Sequence, residues 1–150
     1  MVNSTCNYRA TTILFICGQN IDIDFVNQSL NLLPEVVKRQ GEAVMPSLTN
    51  GGQRDFDSRM NWDRWSRSLT SKQLNQSLHQ QLKFWLQTLS PARSAFQEFE
   101  RRDYWSVLDC QLVPTKPYLP SIQFRLSKEV QAKFTKLGID VDFTIYLPSE

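Results

Sequence analysis

The sequence predicts a single α+β domain in which helices pack on one face of an antiparallel or mixed β-sheet. Strand-like and helical segments follow one another irregularly, with both hairpin-length and helical connections, which is typical of this class. The 150 residues are enough to bury roughly 70% of the unfolded surface in one core. Residues 1–150 are therefore expected to form one domain, and a pseudo-symmetric ferredoxin-like layout is compatible with this order.

The clearest local pattern is a change of hydrophobic period at Gly138. Before it, apolar residues recur at helical spacing; after it, they alternate with polar ones, as in a half-buried strand. Ser127 is suited to cap the helix, and Gly138 can adopt the left-handed conformation that ends it. The pattern predicts a helix over 127–138 and a strand over 139–146.

The first half begins with a strand over 8–17, whose continuous apolar end, residues 13–16, is typical of a strand covered on both faces. A short helix capped by Asp22 or Asp24 follows, and Pro34 is expected to end it. Residues 36–41 are predicted as an edge strand. Residues 42–60 lack periodicity and contain Asn-Gly-Gly, so we expect a mobile loop there.

A strand over 62–69 is expected to lead into the longest helix, which begins after Thr70 or Ser71 and buries a leucine-rich stripe up to Leu89. Ser90 and Pro91 favour a new helix start, so a second helix is predicted over 92–102. A strand over 104–113, a proline-rich connection over 114–120 and a short alternating strand over 122–126 complete the chain.

Composition excludes several functional classes. With 17 basic and 15 acidic residues, the net charge of +2 is too small to predict nucleic-acid binding. Cys6, Cys17 and Cys110 lack the spacing of a zinc or redox site, which favours free thiols in a reducing cytoplasm. No phosphate-loop or dinucleotide fingerprint predicts a cofactor, and no signal peptide or membrane span is expected. The predicted protein is cytoplasmic, with neither cofactor nor bound metal.

One cluster of side chains suggests a partner-binding surface, because tryptophan and arginine are enriched at binding hot spots. An alternative role is structural, with at least one tryptophan in the core and arginine stems covering apolar surface. The predicted partner-binding residues are Arg59, Trp62, Arg64, Trp65 and Arg67.

Titratable side chains offer a competing hypothesis, a small-molecule-binding or enzymatic domain in which Asp109, Asp140 and His79 converge. The spacing favours solvent-exposed positions without a catalytic role, with His79 on the flank of a helix and Asp140 and Asp142 on the solvent-facing side of a strand. A homo-oligomeric scaffold is a third alternative, and the sequence leaves the oligomeric state open.

The chain resembles a bacterial family catalogued as domain of unknown function 4279. The resemblance rests on the opening strand, the helix over 22–33 that ends at Pro34, the segments 38–41 and 124–127, the Trp-Asp-Arg-Trp-Ser segment 62–66 and the final segment 136–146. It implies an α+β fold and brings no catalytic residues. By analogy of size and compartment, we expect a non-enzymatic protein-binding module, an immunity protein that neutralises a toxin encoded by a neighbouring gene.

Overall fold

A computed structural model describes residues 7–42, 62–116 and 121–146 of the chain. These residues form one five-stranded mixed sheet with the strand order β2-β3-β1-β4-β5, which confirms the predicted α+β class. Neighbouring strands are antiparallel except β4 and β5, which are parallel. The elements are β1 Tyr8–Gly18, α1 Ile23–Leu30, β2 Val36–Lys38, β3 Asp63–Ser68, α2 Ser71–Leu74, α3 Leu78–Leu89, α4 Arg93–Arg101, β4 Trp105–Pro114, α5 Lys128–Leu137 and β5 Ile139–Ile145.

The helices pack on one face of the sheet, and the hydrophobic core lies between them and that face. α3 packs against β1, α4 against β4 and α5 against β5. Leu14 and Ile16 of β1, Trp65 of β3 and Leu108 of β4 are fully buried on this side. We call it the helix-covered face, and the opposite side the open face, because no helix of the described residues packs there.

The central strand β1 differs from its prediction in one respect. Its apolar end predicts cover on both faces, but Ile13 and Phe15 point to the open face and are only half-buried. A neighbouring side chain shields Phe15, since the Arg64 guanidinium lies 4.9 Å from the centre of its ring. A continuous apolar run therefore does not require a second layer of helices.

Helix ends largely follow the expected capping chemistry. Asp22 accepts a hydrogen bond from the Phe25 N–H at the start of α1, and Ser127 accepts one from the Val130 N–H at the start of α5. Gly138 ends α5 with a φ of 79°, as predicted. α1 ends earlier than expected, because Asn31 adopts the left-handed conformation three residues before Pro34.

The predicted long helix is divided in two. Thr70 begins α2 with a reciprocal capping box, and Ser77 caps α3 as a separate helix. The interruption frees backbone carbonyl groups, and the Gln81 amide nitrogen lies close to two of them, at 3.3 Å from the Leu74 oxygen and 3.0 Å from the Gln76 oxygen. A buried side chain thus compensates for the broken helical ladder.

Two predicted strands are corrected. β2 stops at Lys38, because the next two residues, Arg39 and Gln40, turn to bind Asp63. Residues 122–126 form no strand; instead their apolar side chains pack against the core. The Phe124 ring is stacked on the Phe143 ring, with 4.5 Å between the ring centroids. Residues 43–60 of the predicted loop, Cys6 and residues 117–120 lie outside the described residues.

A buried polar network joins α3 to β1. Gln81, with no exposed surface, accepts a hydrogen bond from the Thr12 hydroxyl at 2.9 Å and donates one to the Ala10 carbonyl at 2.7 Å. The Trp85 indole N–H donates to the same Thr12 hydroxyl at 2.8 Å. Each of these polar groups is buried, so each depends on the others for its hydrogen bonds.

Replacing Gln81 with leucine is expected to lower the free energy of unfolding by on the order of 3 kcal/mol, because Thr12 and the Ala10 carbonyl lose buried partners. Urea denaturation followed by circular dichroism measures the change. The matched control is Gln80→Leu on the exposed side of the same helix turn, which should change stability by less than about 0.5 kcal/mol. Equal losses in the two variants would contradict the role of the network.

None of the helices in the described part of the chain has the length and apolar character needed to cross a membrane.

Candidate binding surface on the open face of the sheet

The open face brings together side chains from four strands. Directly opposed residues of antiparallel strands share a face, and Cys17 of β1 pairs with Arg64 of β3 on one side and Trp105 of β4 on the other. Phe15, two residues before Cys17, pairs with Val107 in the same way. The register therefore builds a continuous surface across the middle of the sheet.

Two tryptophans form a large exposed apolar part of this surface. Trp62 and Trp105 are 37% and 42% exposed, and their rings meet edge to face with centroids 5.4 Å apart. Trp62 immediately precedes β3, and Trp105 begins β4, so the pair spans the end of β1 that separates those strands. Large aromatic side chains left in water are typical of binding surfaces.

Cys17 lies beneath the tryptophans and is buried. Burial raises the pKa of its thiol to about 11, although the Arg64 charge and a hydrogen bond with the Trp62 side chain act in the opposite direction. Burial likewise raises the pKa of Cys110 to about 12, helped by the charges of Asp109 and Asp142. Both thiols are therefore protonated at neutral pH, and both cysteines are free, which fits the prediction of free thiols at these two positions.

Arg64 occupies the β3 side of the surface, with its guanidinium stacked over Phe15. Its Nε is buried and has no hydrogen-bond partner among the described residues. The side chain is consequently held by packing on Phe15, while its Nε donor is not committed to any described acceptor.

Carboxylates occupy the β4 and β5 side. Asp109 and Asp142 are neighbours across these parallel strands. Asp109 accepts hydrogen bonds from the Gln111 amide and the Thr144 hydroxyl, both at 3.1 Å, whereas Asp142 is exposed. The surface is thus positive beside β3 and negative beside β5.

A cleft of about 490 Å³ runs between the two charged sides. The residues that line it are Phe15, Cys17, Trp62, Arg64, Trp105, Val107, Asp109, Val141, Asp142, Phe143 and Thr144.

The structure divides the predicted partner-binding cluster. Trp62 and Arg64 lie together on the open face, and Arg59 lies outside the described residues. Arg67 is paired with Leu14 on the helix-covered side, where it donates a hydrogen bond to the Leu33 carbonyl at 2.7 Å. Alternation along a strand puts neighbours on opposite faces, so the cluster cannot act as one patch.

Trp65 requires a correction, because it is a core residue. Its side chain is 0% exposed, and its indole N–H donates to the Asn27 side chain of α1 at 2.8 Å. A partner cannot reach this ring in the folded protein, so we remove Trp65 from the candidate surface.

The predicted convergence of Asp109, Asp140 and His79 does not occur. Asp109 lies on the open face, and Asp140 is exposed on β5. His79 is an exposed residue of α3, which packs on the other face of the sheet. General acid-base groups must reach one reacting centre, so this version of the enzymatic alternative is not supported. The described residues also contain no group of three or more potential metal ligands.

Trp105, Phe15 and Val107 also belong to this surface, although none of them is among the predicted partner-binding residues. Alternation along the predicted strands is the sequence pattern that could have indicated them. Trp105, Val107 and Asp109 occupy one side of one strand, and Phe15 lies in another strand. That pattern identifies residues that share a face, but it does not show which face the helices leave open.

The family model described as Domain of unknown function (DUF4279) matches residues 7–148. No curated protein and no solved structure matches the chain significantly.

Proposed function

Because the chain belongs to the DUF4279 family, whose description names no activity, we propose its function from the open face of the sheet. The protein is a non-enzymatic protein-binding module. Its partner is a toxin of the same bacterium, encoded by a neighbouring gene, and the module acts as the immunity protein that covers that toxin.

The exposed pair Trp62 and Trp105 carries this proposal. A stable fold has no need to leave two large rings in contact with each other and with water, since burying them would stabilise the protein. Tryptophan and arginine dominate binding energy at protein interfaces, and Arg64 lines the same cleft.

The rigid placement of these side chains also supports the proposal. Trp105 and Arg64 stand on β4 and β3, which flank the central strand, and the core holds that strand from the other side. Side chains on such a scaffold lose little conformational freedom on binding, which favours affinity.

A small-molecule site in the same cleft is the second candidate. Its favouring observation is the volume of about 490 Å³, which lies within the range of roughly 300 to 1,000 Å³ typical of ligand pockets. A small ligand would fill the cleft without needing the exposed edges of both tryptophans.

Growth rescue tests the proposal. The neighbouring gene product is expressed at a level that stops growth, and co-expression of the wild-type protein is expected to restore it. Trp105→Arg should abolish rescue and weaken binding of the purified pair by at least about tenfold, since it removes a hot-spot ring. The matched control, His79→Arg on the exposed side of α3, should rescue like wild type.

Thermal melting of both variants shows whether they are folded. Continued growth arrest with folded wild-type protein present would overturn the toxin partner. Equal loss of growth rescue in Trp105→Arg and His79→Arg would overturn the assignment of the open face as the binding surface. Full rescue by Trp105→Arg would equally remove the tryptophan pair from the interface.

A further inference from the structure

We infer that Arg64, together with Lys38, forms the carboxylate-binding point of the open face, where the partner protein inserts an aspartate or glutamate side chain. The inference rests on the proposed function, because it specifies which chemistry the partner presents to this surface.

The first argument is the state of the Arg64 guanidinium. Its Nε is buried without a hydrogen-bond partner among the described residues, while the group is stacked on Phe15 and lines the cleft. A buried donor left unpaired destabilises the protein, and more so when the donor is charged. Arg64 as a whole is only partly buried and lines the cleft, so an acceptor on a partner can reach the guanidinium there.

The second argument is the position of Lys38. The strand register places Lys38 of β2 directly opposite Arg64 of β3, on the same face. Like charges in directly opposed positions repel each other. An anion bound between the two side chains would convert this repulsion into attraction.

The third argument is that the described part of the chain supplies no carboxylate for this pair. The ion pairs there join Arg39 to Asp63, Arg101 and Arg102 to Glu98, and Lys133 to Glu129. Asp109 of the open face is bound by Gln111 and Thr144 on its own side of the sheet, and β1 separates β4 from β3.

Carboxylate is the chemistry that fits these donors. Guanidinium presents parallel N–H groups that match the two oxygens of a carboxylate, and lysine adds a point charge. Trp62 and Trp105 line the same cleft as Arg64, so apolar surface around the acidic side chain would be covered at the same time. An acidic residue within an apolar patch is therefore the expected partner feature.

The test uses the purified full chain and capped glutamate, N-acetyl-glutamate N-methylamide, as the probe. Arginine Nε–H signals are followed by ¹H–¹⁵N NMR, and the Arg64 signal is identified by its absence in Arg64→Lys. The probe should shift this signal in a saturable manner, whereas the neutral N-acetyl-glutamine N-methylamide and sodium chloride at equal ionic strength should not. Binding, followed at backbone amides of the face, should weaken about tenfold in Arg64→Lys, as expected for loss of a charge-assisted hydrogen bond.

Arg101, an exposed residue of α4 paired with Glu98, is the matched control. The probe should not shift its Nε–H signal in a saturable manner, and Arg101→Lys should bind the probe like wild type. No saturable shift at Arg64, or equal shifts at Arg64 and Arg101, would overturn the inference. Benzoate bound more than about tenfold tighter than capped glutamate would also overturn it, because the site would then select a free aromatic acid.

The two proposals fail separately. A saturable Arg64 shift combined with failed growth rescue would remove the toxin partner and leave a carboxylate site. Growth rescue combined with no shift at Arg64 would keep the binding module and remove the acidic side chain from its recognition.

Discussion

Replacing Asp63 with alanine is expected to lower the free energy of unfolding by on the order of 3 kcal/mol, because one carboxylate organises three parts of the chain. Asp63 is 3% exposed at the start of β3. It accepts hydrogen bonds from the Ile21 and Gln40 backbone N–H groups at 2.9 and 2.8 Å and from the Arg39 guanidinium at 2.8 Å. Arg39 is about half exposed and can be hydrated again once Asp63 is removed. The loss of unfolding free energy therefore stays at the lower end of the range for breaking a buried ion pair.

The same carboxylate makes stability depend on pH. Burial acts to raise the pKa of Asp63, but the hydrogen bonds from Gln40, Arg39 and Ile21 and the charge of Arg39 outweigh it and hold the pKa below its ordinary 3.8. The folded state therefore binds this proton less readily than the unfolded state. The contribution is complete above the unfolded pKa and is lost as pH falls through the lower folded pKa.

Urea denaturation at a series of pH values from 7 down through the acid range measures both effects. Asp63→Asn should flatten the part of the stability curve that falls below about pH 4. Asp140→Ala, at an exposed position of β5, is the control and should leave stability within about 0.5 kcal/mol of wild type. If Asp63→Ala were as stable as the wild-type protein at neutral pH, this result would contradict the structural role of Asp63.

Trp65→Ala is expected to destabilise the protein by about 3–5 kcal/mol, the range for removing a large buried aromatic side chain. The ring is fully buried against the helix-covered face, and its loss also removes the hydrogen bond that ties β3 to Asn27 of α1. Trp65→Phe should retain part of this stability, because it preserves much of the buried ring while losing the indole N–H.

Trp62→Ala is the matched control from the same segment. Since Trp62 is 37% exposed, its removal should change stability by less than about 1.5 kcal/mol, yet it should reduce partner binding because the exposed pair is broken. Chemical denaturation and the binding measurement are made on the same preparations. Similar unfolding free energies for Trp62→Ala and Trp65→Ala would contradict the assignment of one ring to the surface and the other to the core.

Local sequence patterns were sufficient to predict several elements correctly. The change of period at Gly138 predicts α5 and β5, because helical spacing, a serine cap and a left-handed glycine all point to the same boundary. The start of α1 at Asp22 follows from side-chain capping, which acts within three residues. Such interactions are local, so the sequence contains them completely.

Patterns that depend on distant partners were misinterpreted. In residue type nothing distinguishes Gln81 from its exposed neighbour Gln80, although its place between Leu78 and Trp85 is a core position of the helix. Contact with Thr12 and Ala10 of β1, about 70 residues away in the sequence, explains why a polar residue belongs there. The alternation over 122–126 likewise resembles a strand, but packing of Phe124 on Phe143 produces the same pattern without strand pairing.

The candidate surface shows the same division between local and distant information. Alternation in the sequence groups Trp62 with Arg64, and separately Trp105 with Val107, since side chains two residues apart in a strand share a face. Strand order and helix packing decide the rest: β1 lies between these two strands, and the helices of the described residues that contact the sheet do so on the other side. Which face the described helices leave uncovered is set by burial of the core across the domain, a long-range energy that no local pattern contains.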